Sequence, residues 1–351
     1  MKAKALQFGK AISAALFVLL LVAVGSKNAL AQNLVATLQH NDTITGVFYG
    51  QDALTSAYNA AVNGDVITLS SGVFKVSSAF SIRKEVTVHG AGCVDDPITG
   101  AGRTQVSNSI IMGQHNDIGA SNSLFEGICF ANIGFDAYGS PLTNVTFRKC
   151  NIDAITQVND PKTYNNIQFE NCVIKSFPFQ KFLDASFVNS VVKFTNYNHN
   201  DIYRCTSFHN SIALFNDGLN INNLIAYNSI IATVSNHTVT NCTFFNCIDI
   251  KTGETSLFDG QTCNTVMEVD NYSDVFETFN GTISYDNIYQ LKNDIATGFL
   301  GHDGTEVGIY GGLMPYSARP HYMIIRNCNV AGRTTIDNKL SVEIELLDVD
   351  E

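Results

Sequence analysis

The sequence predicts an all-β chain: a parallel β-helix solenoid with a capping helix at its N-terminal end and a short β cap at its C-terminal end. Three observations carry this reading. First, one phrase, of the form Phe169-Glu170-Asn171-Cys172-Val173-Ile174, returns six times, at 147–152, 169–174, 187–192, 208–213, 226–231 and 244–249. Second, counted from Cys150, the copies stand 22, 18, 21, 18 and 18 residues apart, and a looser copy at 125–130 lies 22 residues upstream. A period of about 20 is the length of one rung of a solenoid. Third, the apolar positions inside each phrase alternate with period two, as in a short strand with one face inward.

Each phrase sorts into columns. Val145, Ile167 and Leu224, then Phe147, Phe169, Phe187, Phe208 and Phe244, form two inward columns on the first strand. Cys150, Cys172 and Cys247, with Ser190, Ser211 and Ser229, form a small-residue column, and Ile152, Ile174, Val192 and Ile231 follow it. The inward parity changes across Asn171, Asn189, Asn210, Asn228 and Asn246. A one-residue phase change needs a sharp bend, and Asn tolerates the left-handed backbone better than other residues with a Cβ. Gly127 holds this place in the upstream copy, whereas Lys149 is the exception and should carry strain. Rungs about 4.8 Å apart turn every column into a ladder, so the Phe residues should stack inside. An all-β sandwich with coincidental spacing is the competing fold, but sandwich strands do not recur with one fixed phrase.

Upstream, residues 52–62 carry apolar side chains at helical spacing, Asn63-Gly64-Asp65 stops them, and 66–69 reads as a strand. The run Gly64-Asp65-Val66-Ile67-Thr68-Leu69-Ser70-Ser71-Gly72-Val73-Phe74, with the rung at 80–92 closing on Gly90-Ala91-Gly92, resembles the pectate-lyase-like superfamily of right-handed parallel β-helices. That likeness gives the expected solenoid its right hand and the helix its job of covering an open end. Residues 287–291 and 304–312 resemble the closing segment of exported bacterial β-helix proteins. The superfamily hosts lyases, hydrolases, adhesins and structural spikes, so the resemblance implies a fold and leaves the activity open.

Residues 1–31 are expected to be a secretory leader: Lys2, Lys4 and Lys10 precede an apolar run at 11–24, and Ala29-Leu30-Ala31 ends in small residues. The run is too short for a membrane span, and no later segment suits one. Residues 32–315 read as the β-helix domain, with wider-looped last rungs near 249–286, and 316–351 as a strand-rich cap or tail in which 322–330 repeats the phrase. The expected location is the periplasm, the cell surface or the medium. Without the leader, four of the 21 Lys and Arg and none of the 32 acids are lost, leaving a net charge of −15. Such a surface repels nucleic acid and anionic membranes.

Candidate chemistry is sparse. Arg148, Lys149, Asp153 and Arg204 are the charges a lyase could use, and Asp95-Asp96 is an acid pair without a second pair to match it. His89, His115, His199, His209 and His237 share no ligand spacing, and His209 reads as an exposed rung residue. The nine Cys show no zinc spacing; Cys150 and Cys172 face each other on adjacent rungs, as a disulfide or as free thiols. Asp303-Gly304-Thr305 is a fragment of a Ca²⁺ loop without its spaced acids and reads as a turn. No catalytic residue, cofactor or metal ligand is assigned. Tyr164, Tyr197, Tyr203 and Tyr227 are available for stacking on sugars. The favoured reading is an exported non-catalytic protein, glycan-binding or structural, with a polysaccharide or cell-surface component as partner. A polysaccharide lyase or glycoside hydrolase is the alternative.

Overall fold

A computed structural model of the chain describes residues 34–317, apart from 79 and the stretches 96–101, 114–118, 136–141, 158–163, 179–183, 196–205, 217–219, 234–237 and 252–255, together with strands at 324–330 and 342–347. Residues 1–33, where the secretory leader is expected, and Asp96, His115, His199, His237, Tyr197, Tyr203 and Arg204 lie outside the described residues.

Successive phrases pair in parallel and in register, forming a β-solenoid of about seven turns. Phe147, Phe169, Phe187 and Phe208 are fully buried. Their rings stack at centroid separations of 5.3, 5.1 and 5.1 Å, and Phe125 extends the stack below at 5.4 Å. Ala226 then interrupts the column before Phe244. A second inner stack, Phe194 on Phe215 at 4.7 Å, meets the first edge-on, Phe194 lying 83° to Phe208.

The bend column behaves as the phase change requires. Gly127, Lys149, Asn171, Asn189, Asn210, Asn228 and Asn246 all have positive φ, between 46° and 67°. Lys149, at 51°, occupies the region a long side chain avoids. A second left-handed corner, not resolved in the sequence reading, falls at or just before the first strand of several rungs, at Asn122, Asn144, Asn166, Asn223 and Asn241. Their amides form a ladder, Asn144 donating to Asn122 at 3.0 Å, Asn166 to Asn144 at 2.8 Å and Asn241 to Asn223 at 2.6 Å.

The small-residue column is a chain of hydrogen bonds. Ser211 Oγ donates to the carbonyls of Phe187 at 3.0 Å and His209 at 2.9 Å, and accepts from the Ser190 N–H at 3.2 Å. Ser190 Oγ, Cys150 Sγ, Cys172 Sγ and Cys247 Sγ make the same two kinds of donation. The column therefore selects a small donor as well as a small volume, a role Ser and Cys share. All seven cysteines with described side chains are free thiols, so Cys150 and Cys172 are stacked and not bonded. Burial raises the Cys150 thiol well above its ordinary range and pushes Cys247 up to about 12, which keeps both protonated donors.

Helix α1 (Ala53–Ala60) buries Ala53, Leu54, Ala57 and Tyr58 against the first rungs. It is preceded by a hairpin that the sequence reading did not anticipate, β1 (Val35–His40) and β2 (Thr43–Tyr49), with β1 antiparallel to β3 (Asp65–Leu69). The rungs end with the strand Thr262–Val269.

Of the wider-looped rungs expected near 249–286, the part up to Val269 forms rungs, whereas residues 270–317 run back along the outside of the solenoid. Tyr285 reaches down to Asp153, Leu300 returns to the upper bend at Asn246, and Ser317 meets Asn171. This strap covers an outward aliphatic column, Val173, Val191, Ile212, Ile230 and Ile248, with Val275, Phe276, Tyr289, Leu291, Val307 and Ile309, making a second core. The tail strands Ile324–Val330 and Val342–Leu347 pair antiparallel with each other, so the described part of the phrase at 322–330 forms no further rung. Among the described residues no helix is long and apolar enough to cross a membrane.

Candidate functional site

With the strap covering one outer sheet face, the face made by the first strand of each phrase is the candidate contact surface. Its two outward columns follow from period two. One carries Thr146, Gln168, Ser186 and Ser207, all partly exposed, between Leu124 below and the exposed Ile225 above. The other runs in register through His89, Glu126, Arg148, Glu170, Val188, His209, Tyr227 and Phe245.

Its lower half alternates basic and acidic side chains. His89 Nδ1 lies 3.0 Å from Glu126, and Arg148 Nε 2.7 Å from Glu170. Burial alone would raise the Glu126 carboxyl, but the His89 hydrogen bond and the charges of His89, Arg148 and Lys149 outweigh it and hold it below its usual range. Burial works against the Arg148 charge, yet the Glu170 bond more than compensates and raises its pKa. The upper half is an aromatic stack: His209 on Tyr227 at 5.1 Å and 14°, and Tyr227 on Phe245 at 5.0 Å and 7°. His209 is thus partly buried instead of exposed, and desolvation lowers its pKa.

The other candidates are similarly engaged. Lys149 is buried at its bend. Asp153 accepts from Lys175 at 2.8 Å and from the Tyr285 hydroxyl at 2.9 Å, and the Lys175 ammonium sits 3.7 Å from the centre of the Tyr285 ring. Asp95 binds Arg103 at 3.2 Å. Tyr164 is fully buried and donates to the Phe135 carbonyl at 2.9 Å, so it belongs to the core. Tyr227 has a ring on each face, which leaves its edge and hydroxyl for a ligand and no face for a sugar. Asp303 Oδ1 accepts from the Thr305 N–H at 3.1 Å and its hydroxyl at 2.7 Å, closing a turn on itself. Among the described residues no cluster of three or more His, Cys, Asp or Glu side chains could hold a metal.

Sequence reasoning missed the functional content of the bend column. Asn189 Nδ2 donates to the carbonyls of Ile309 at 2.8 Å and Gly311 at 2.7 Å, and Asn228 Oδ1 accepts from the His302 N–H at 2.8 Å. These side chains hold the strap, a job Gly could not do. The signal was present: the residue after the Cys or Ser is Val or Ile in five of the six phrases although it points outward. Comparison of the chain with family models, with curated proteins and with solved structures finds no match.

Proposed function

We propose that this chain is an exported, non-catalytic β-helix protein of the pectate-lyase-like kind, acting at the cell surface or in the periplasm as a rigid glycan-binding or structural element. The observation that supports this best is the pairing of its charges. Of the described lyase and hydrolase candidates, Arg148, Asp153 and Asp95 each hold a local partner at 3.2 Å or less, and Lys149 is buried at its bend. A general acid or base must reach a substrate proton. Here Arg148 and Asp153 spend their hydrogen bonds on the next rung, and Asp95 spends its own on Arg103 in the same loop.

The open face suits an extended polymer lying along the solenoid axis. Thr146, Gln168, Ser186 and Ser207 repeat a hydrogen-bonding side chain about every 4.8 Å. The Tyr227 hydroxyl adds a polar edge beside them. Binding would rest on hydrogen bonds more than on ring stacking, and neutral glycans fit a chain of this negative charge better than uronic acid polymers.

Incubating the leader-free protein with neutral and uronic-acid polysaccharides, with and without Ca²⁺, tests this. Retention on a neutral polymer without turnover is the expected result. Release of reducing ends or unsaturated products would replace it with the lyase or hydrolase reading, and failure to bind any glycan would leave the structural role.

A further inference from the structure

We propose that Cys93 and Cys129 form a reversible thiol–disulfide couple at the lower end of the solenoid. The Gly92 N–H donates to the Gly127 carbonyl at 3.0 Å, which carries Cys93 over the start of the strand Cys129–Phe135. Cys129 Sγ reaches the Cys93 carbonyl at 3.8 Å, and Cys93 Sγ reaches the Lys149 carbonyl at 3.3 Å. The pair is separated by 36 residues, so the contact is made by the fold.

The two sulfurs are unequal in the way an exchanging pair requires. Cys129 is partly exposed, whereas Cys93 is buried. The Cys93 hydrogen bond, opposed by burial and helped by the Arg103 charge, holds the Cys129 thiol below its ordinary value. Arg103 is itself fixed by Asp95 at 3.2 Å. Burial keeps Cys93 protonated. Thiolate character and access select the attacking sulfur. Cys150, Cys172 and Cys247 lack access, being buried donors in the small-residue column.

The co-reactant is a disulfide, RSSR. The Cys129 thiolate attacks one of its sulfurs, forming Cys129–S–SR and releasing RS⁻. Cys93 then attacks the Cys129 sulfur of that mixed disulfide, and its proton leaves with the second RS⁻. The net change is two protein thiols and one RSSR giving one intramolecular disulfide and two RSH. Glutathione disulfide is a suitable probe, and reduced glutathione reverses the reaction. This inference stands independently of any glycan.

The test starts from the native wild-type chain. Iodoacetamide, followed by peptide mass spectrometry, should alkylate Cys129 at least about tenfold faster than Cys150 or Cys247. Glutathione disulfide should then link the Cys93 and Cys129 peptides with loss of two hydrogens. Cys93→Ser should stop at a glutathione adduct on Cys129, and Cys129→Ser should give neither product. Equal alkylation of Cys129 and Cys150 in the folded wild-type chain would overturn the proposal whether or not the variants fold. So would a first bridge at any other pair.

Discussion

The side-chain amide of Asn189 spans the solenoid and its strap, donating to the Ile309 carbonyl at 2.8 Å and the Gly311 carbonyl at 2.7 Å while its own backbone sits at φ 46°. One residue thus serves the bend and the second core together. Asn189→Gly keeps the bend and loses the strap bonds, at a cost of about 1–3 kcal/mol for stranding buried carbonyls. Asn189→Ala should cost about 1 kcal/mol more, because its Cβ enters the left-handed region. Urea midpoints of the two variants check the order; a Gly variant less stable than the Ala variant would contradict it.

Gly311 is the complementary position on the strap. A Cβ built there would stand 1.8 Å from the Glu306 carbonyl oxygen, which is backbone and cannot swing away. Gly311→Ala should therefore cost about 3 kcal/mol through forced displacement. At Gly304 nothing lies within 4 Å and only φ, at 78°, opposes a side chain. Gly304→Ala should cost about 1 kcal/mol. Thermal unfolding of both variants measures the difference, and equal losses would show that the strap does not seat at Gly311.

The Ser/Cys column predicts tolerance of one exchange and intolerance of another. Ser211→Cys keeps a donor for Phe187 and His209 and should fold with a midpoint close to the wild type. Ser211→Ala removes that donor and the acceptor of the Ser190 N–H, which should cost about 1–3 kcal/mol. If Ala were as stable as Cys, volume alone would explain the column.

Acid should weaken the lower rungs through Glu126. Its folded pKa lies below the usual 4.5, so its contribution is present above that value and is lost as pH falls through the depressed one. Between pH 6 and pH 3 the urea midpoint of the wild type should fall further than that of Glu126→Gln. Parallel falls would mean that the ladder with His89 and Arg148 contributes nothing measurable.

The rungs were legible because their cause is local and repeated. Phe147, Phe169 and Phe187 recur at a period that only stacked rungs satisfy, and Asn at the parity change declares its own backbone. The strap was harder to read. Ile212 and Ile230 looked like part of a strand, and which face they need covered depends on a segment about 40 or more residues later with no periodicity. The second Asn corner was available at Asn144, Asn166, Asn223 and Asn241, but it falls outside the phrase that first catches the eye. Site chemistry was illegible for another reason: a single Arg or Asp in sequence does not reveal that Glu170 or Lys175 neutralises it one rung away.

Hydrogen exchange on the native chain, read by mass spectrometry, decides whether residues 299–316 belong to the fold as a second core. The amides of Ile212 and Ile230 donate to the preceding rung at 2.9 Å, the Gly308 N–H donates to the Asn228 carbonyl at 2.8 Å, and the Tyr316 N–H to the Ile309 carbonyl at 2.7 Å. Peptides covering the strap should be protected to the same degree as peptides covering the rungs at 208–215 and 226–233. Strap amides exchanging at the rate of an unfolded chain while those rungs stay protected would contradict the second core.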